Sequence, residues 1–220
     1  LVVALAGRTD LPDAGRNDTA FVGGARSEWK LIAAGVVFLG LTGFVWQGVF
    51  NFYELYMISK GLPPATARTL LTVIFAAGVP AFLISGSLAD RLPHVPYLLG
   101  IVTAFLLSIV LAVFASGLVA IGLASALVGF TVHMVFPAGD TYLLGSLPDD
   151  SRASAYAVYS AGMMTTQAGG SWAVGEAVEA GVPYDAVFLG AAAGLAVLVA
   201  VYAGLNAVGR VPGGAAQPTR

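Results

Sequence analysis

Ser85-Gly-Ser-Leu-Ala-Asp-Arg-Leu-Pro93, SGSLADRLP, closes a run from Thr69 to Ala89 that contains no Asp, Glu, Lys or Arg. Asp90 and Arg91 then stand side by side in a chain with little other charge. The uncharged run is about 20 residues long, the length of α-helix that crosses the hydrocarbon core of a bilayer. The rest of the sequence repeats the pattern. Leu31–Tyr53, Ala153–Gly175 and Ala186–Gly209 are similar runs, and Val95–Gly139 is long enough for two, divided near Ala115-Ser116-Gly117. Six spans result, at about 31–57, 69–89, 96–115, 118–138, 153–175 and 186–208. The expected fold class is therefore an all-α membrane protein, a six-transmembrane-helix bundle.

Composition agrees. Of 220 residues, 58% are hydrophobic and 10% charged, against roughly 45–50% and 25% in soluble domains. The mean hydropathy is +0.85. The 28 glycines lie mostly inside the apolar runs, where they let membrane helices approach closely. With no cysteine, disulfides, thiol catalysis and Cys-ligated zinc are excluded. Two histidines, His94 and His133, are too few for a histidine metal site, so no metal and no cofactor is expected. A net charge of −2 with no basic stripe argues against a nucleic-acid partner. No G-x-x-x-x-G-K-[ST] loop is present for nucleotide hydrolysis. One membrane-embedded histidine and scattered acids do not form an enzyme's constellation, and no repeated filter or charged ring marks a channel.

The short loops make neighbouring spans antiparallel. Pro63 and Pro64 in KGLPPATAR (60–68) cannot continue the helix before them, and Asp149, Asp150 or Ser151 can cap the helix that follows LPDDSRAS (147–154). Alternating the loops divides the basic residues eight to two: Arg8, Arg16, Arg26, Lys30, Arg91, Arg152, Arg210 and Arg220 against Lys60 and Arg68. Basic residues collect on the cytoplasmic side, so both ends of the segment are expected there, with the protein multi-pass in the plasma membrane. Residues 1–29 read as a polar cytoplasmic linker with an amphipathic piece near Ala20–Trp29. Residues 210–220 read as a disordered cytoplasmic tail. The start at Leu1 and the apolar LVVAL suggest the end of an earlier helix, and hence a fragment.

In this setting Gly86-Ser-Leu-Ala-Asp-Arg91 resembles the signature loop of the major facilitator superfamily: a glycine, three residues, an aspartate and a basic residue between the second and third spans of a six-helix half. The Gly and later basic pair of the full signature are replaced by Leu92-Pro-His-Val-Pro96, which suits the weaker copy between spans eight and nine. GLPPATA (61–67) resembles the turn between spans seven and eight, and PAGDTYLLGSLPDDSRASAYAVYSAG (137–162) the passage from span ten into span eleven. The resemblance covers roughly 30–208 and implies one half, spans seven to twelve, of a secondary transporter that moves a small solute by alternating access. It implies a proton or sodium ion as coupling partner, and an N-terminal six-helix half facing this one. In the family this loop latches the cytoplasmic side. Gly86, Asp90 and Arg91 are the expected latch, with Asp140 and Arg152 as a gate or ion pair. The alternative is a six-span scaffold or channel-like protein.

Polar side chains inside spans are costly and mark pathways. Gln47, Asn51 and Glu54 share a helical face with Gly43 and Phe50. Glu54 either carries a cation or proton, or pairs at the outer interface with Lys60 or water. His133 shares a face with Gly122, Ala126, Gly129 and Asp140, and its reference pKa suits a proton step, although a packing role is also open. Tyr156, Ser160, Met163 and Gln167 share a face with Gly170, flanked by Tyr159 and Thr166. They suit an amphipathic ligand or plain interhelical hydrogen bonding. The candidate pathway residues are thus Gln47, Asn51, Glu54, His133, Tyr159 and Gln167. Gly190-Ala-Ala-Ala-Gly194 reads as a small-residue packing face on a supporting helix.

Overall fold

A computed structural model describes residues 18–213. Seven helices follow one another: α1 Asp18–Ser27, α2 Trp29–Ser59 with a π-helical turn at Val36–Gly40, α3 Pro64–Ala89, α4 His94–Phe114, α5 Gly117–Ser146, α6 Arg152–Glu179 and α7 Tyr184–Ala207. The helices α2, α3, α4, α5 and α7 are each long and apolar enough to cross a membrane. α6 is long enough too, but Tyr156, Ser160, Thr165, Thr166, Gln167 and Ser171 make it less apolar. Part of that polarity meets α2, where Ser171 bonds Asn51 and Gln167 packs on Gly43; Tyr156 bonds Asp140 of α5, and Thr165 and Thr166 bond carbonyls within α6. The expected linker and tail lie largely at 1–17 and 214–220, outside the described residues. Asp18–Ser27, within the linker, is helical and packs on α6.

The turns explain the boundaries. α2 and α6 end alike: Gly61 (φ +88°) and Gly181 (φ +86°) take the left-handed conformation, and the next residue reaches back five positions, Leu62 N–H to Met57 O and Val182 N–H to Ala177 O. This closure satisfies the last carbonyls of each helix and needs a residue without Cβ. Pro63 and Pro183 follow at once and cap the next helix in extended conformation. At the same end, Lys60 Nζ donates to Val113 O and Ala115 O (2.9 Å for the latter), tying the α2 terminus to the carbonyl end of α4, where a cation complements the helix dipole.

Two helix pairs cross on glycine. Gly129 of α5 lies on the Ile74 backbone of α3, and a Cβ at Gly78 of α3 would come 2.7 Å from the His133 ring. Gly170 of α6 lies on the Phe44 carbonyl of α2, and Gly48 faces Val174. Without a hydrophobic force between helices in lipid, such close approach supplies dispersion contact that bulkier residues would forbid. α4 packs between α5 and α7. Hydroxyls bridge the seams: Tyr53 to Ser125 (3.2 Å), Ser108 to Thr131 (3.2 Å) and Tyr56 to Asp185 (2.7 Å). Each such bond contributes about 0.6 kcal/mol in membrane bundles. α7 supports the bundle through Phe188, Leu195 and Tyr202. Gly190 and Gly194, expected as its packing face, meet nothing within 4 Å; they line a gap of about 290 Å³ left between α7 and Leu41, Phe44 and Val45 of α2.

The chain does not leave the bundle at Ala207. Gly209 (φ +64°) turns it, Val211 is buried, and Tyr142 Oη donates to Pro212 O at 2.5 Å. The first residues of the expected tail therefore pack as a strap across the end of the bundle where α2 and α4 begin and α5 ends.

Candidate functional site: the cleft between the helix pairs

The α2/α6 pair and the α3/α5 pair diverge and leave a cleft. It is lined by Leu39, Thr42, Gly43 and Trp46 of α2, by Val132, Val135, Phe136, Gly139 and Asp140 of α5, and by Tyr159, Met163 and Gln167 of α6. Its free volume is about 40 Å³. That holds a few waters at one per roughly 10–15 Å³ and no organic solute. What the cleft offers is a wall of aromatic rings, a carboxylate, an amide and a thioether.

Three expected residues line this cleft. Gln167 packs against Gly43, where a Cβ would collide with its amide. Tyr159 is buried and its hydroxyl donates to Met163 Sδ at 2.9 Å. Asp140 accepts a hydrogen bond from Tyr156 Oη at 2.7 Å. Asp140 and Arg152 do not form the expected pair. Arg152 Nη2 meets Asp149 Oδ1 at 2.6 Å and the Leu147 carbonyl at 3.1 Å, since Asp149 is three residues away across the first turn of α6.

Gln47 and Asn51 lie further along the α2/α6 seam. Asn51 Nδ2 donates to Ser171 Oγ, which in turn donates to the Gln47 carbonyl at 3.3 Å. The polar face read from α2 is thus partly used in holding α6. Glu54 accepts from Arg68 Nε at 2.9 Å, with side-chain exposures of 29% and 72%. Its partner is not Lys60, because Lys60 is engaged by α4. Arg68, on the next helix, was not legible as a partner without the geometry of the turn.

His133 stands at the centre of an aromatic cluster. Its Nδ1 lies 2.6 Å from the Gly129 carbonyl. Its ring centroid is 5.7 Å from Phe82, 5.9 Å from Phe75, 6.0 Å from Trp46 and 6.2 Å from Phe136. Sequence reading missed these rings. Phe75 and Phe82, seven apart on α3, share a face, but that their face meets His133 depends on how α3 crosses α5.

Around the signature loop, Ser85 Oγ donates to Met134 O (2.6 Å) and Tyr97 Oη sits 3.1 Å from Ser85 Oγ. α3, α4 and α5 are thereby fastened just before Gly86. Gly86 meets nothing within 4 Å, so it does not serve an approach between these helices. Asp90 and Arg91 are exposed, and among the described residues neither side chain has a hydrogen-bond or ion-pair partner. The loop is presented outward on a braced support.

A sequence model of the Major Facilitator Superfamily matches residues 22–218. The chain belongs to the Major Facilitator Superfamily. It is accordingly a multi-pass membrane protein of a transporter family, and the resemblance carried by residues 86–91 holds over nearly its whole length. No curated protein matches the chain. Within the superfamily assignment the bundle is part of the family's helical fold.

Proposed function

We propose that this chain is spans seven to twelve of a secondary active transporter that moves a small solute by alternating access, driven by a proton or sodium gradient. The carrying observation is the cleft between two glycine-locked helix pairs, lined by Trp46, Phe136, Asp140, Tyr159 and Gln167. At about 40 Å³ it is one wall of a site rather than a site, which suits binding between two halves. In this reading Gln47, Asn51, Glu54, His133, Tyr159 and Gln167 mark the solute and ion path. Gly86, Asp90 and Arg91 latch the cytoplasmic side against a helix of the facing half. Asp140 gates the same side through its bond to Tyr156, and Arg152 with Asp149 stiffens the start of α6.

This chain has no cysteine, so single-cysteine variants report cleanly once any cysteine elsewhere in the transporter is replaced. In vesicles of the transporter containing this chain, Asn51→Cys and Asp140→Cys are treated with an impermeant maleimide from either side. Alternating access predicts that conditions raising the reactivity of one lower that of the other, and that Asp90→Asn shifts the balance several-fold. Simultaneous, invariant reactivity of both positions would establish a channel. Invariant protection of both would leave the scaffold.

A further inference from the structure

We propose that the aromatic wall around His133 binds lipophilic organic cations that carry aromatic rings. The proposal rests on the transport reading above and names its solute class. Six rings from three helices form the wall: Trp46 and Phe50 of α2, Phe75 and Phe82 of α3, and His133 and Phe136 of α5. Phe50 meets Trp46 at 4.9 Å and Phe75 at 5.3 Å, and Phe82 lies parallel to Phe136 with centroids 6.2 Å apart. Trp46 and Phe136 also line the cleft, so wall and cleft are continuous. Phe75, Phe82 and Phe136 remain 51%, 44% and 37% exposed.

Charge selects among the solutes such a wall could take. Ring faces carry negative potential and attract cations, most strongly where water is excluded. Asp140 lines the same cleft. Among the described residues of α2, α3, α5 and α6, Lys and Arg occur only at helix ends, as Lys30, Arg68 and Arg152. Arg68 and Arg152 are engaged by Glu54 and Asp149. An anion brought into this region finds no cation to meet it. A cation finds π faces and a carboxylate. At His133 the Gly129 carbonyl can only accept, so Nδ1 carries a proton and donates it there.

The test is equilibrium binding to the purified transporter containing this chain, in lipid nanodiscs. Radiolabelled tetraphenylphosphonium is the probe and tetraphenylborate is the anion of the same shape. Saturable tetraphenylphosphonium binding that tetraphenylborate does not compete for is expected. Phe82→Leu and Phe136→Leu keep apolar bulk and remove the π face. Each is expected to weaken binding about three- to ten-fold. Phe114→Leu, at a 73% exposed ring away from the wall, leaves binding unchanged and controls for folding, as do elution profiles of all three variants. Absence of saturable binding, equal competition by the anion, or wild-type affinity in both wall variants would overturn the proposal. Such a result beside reciprocal cysteine reactivity removes only the solute class. Loss of both removes the transport reading.

Discussion

At the scale of the residue, the glycines that fasten the helix pairs should be the most sensitive positions in the chain. A Cβ at Gly129 falls onto the backbone of Ile74, and neither helix can yield without separating the pair. Gly129→Ala is therefore expected to destabilise by about 1–3 kcal/mol, the usual cost of overpacking. Gly100 of α4 faces open space, so Gly100→Ala should leave stability unchanged or slightly raised by helix propensity. Thermal unfolding of both variants in one detergent checks the pair; equal midpoints would mean that the α3/α5 crossing is looser than its geometry. The sequence marks Gly129, on a face with His133, as a small residue in a span, but does not say what lies against it. The same limit applies across the cleft. Periodicity places Gln47, Asn51 and Glu54 on one face, and Tyr159 and Gln167 on adjoining faces of α6. Which of these reach the cleft and which are spent on Ser171 or Arg68 depends on contacts between helices. The aromatic wall was illegible for that reason, since its rings come from three helices.

At the scale of the element, helix number and turn chemistry were legible because each rests on local physics: uncharged length, proline at helix starts, glycine at helix ends. A helix end need not be a span end: α5 runs on to Ser146, beyond the expected span end at 138. Pro137 within it is tolerated because neighbouring helices and hydroxyls cover backbone groups that a proline frees. The terminal strap was not legible. RVPGG has the composition of a tail, and only the gap between Tyr142, Tyr202 and α4 gives Val211 a place to be buried. Arg210 is exposed beside it, which offers a direct readout. Trypsin can cut after Arg210 only when Val211 and Pro212 detach, so cleavage rate follows local opening. Tyr142→Phe removes one hydrogen bond worth about 1 kcal/mol and should speed cutting roughly five-fold. Val211→Ser gives up most of a buried side chain, about 1.5–2 kcal/mol, and should speed it ten-fold or more. Unchanged digestion in both variants would show that the strap contributes nothing to closing that end.

At the scale of the whole molecule, orientation decides what every site means. The strap, the Asp90-Arg91 loop and the start of α6 gather at one end of the bundle, and the Glu54–Arg68 pair, Lys60 and the two proline turns at the other. Among the described residues, Arg26, Lys30, Arg91, Arg152 and Arg210 fall at the first end and Lys60 and Arg68 at the second. Arg68 is bridged to Glu54 and Lys60 is held by the carbonyl end of α4, as Arg152 at the first end is bridged to Asp149; the rule counts bases and not net charge, so the excess at the first end stands. By the positive-inside rule we propose that this end faces the cytoplasm. A fluorescent reporter that matures only in the cytoplasm, fused after Arg220, should therefore glow, and alkaline phosphatase, active only outside, fused there should be silent. Phosphatase inserted after Gly61 should be active. The reverse pattern would turn the molecule over: Asp90 and Arg91 would face outward, no cytoplasmic latch could be built from them, and Glu54 with Arg68 would become the inner gate.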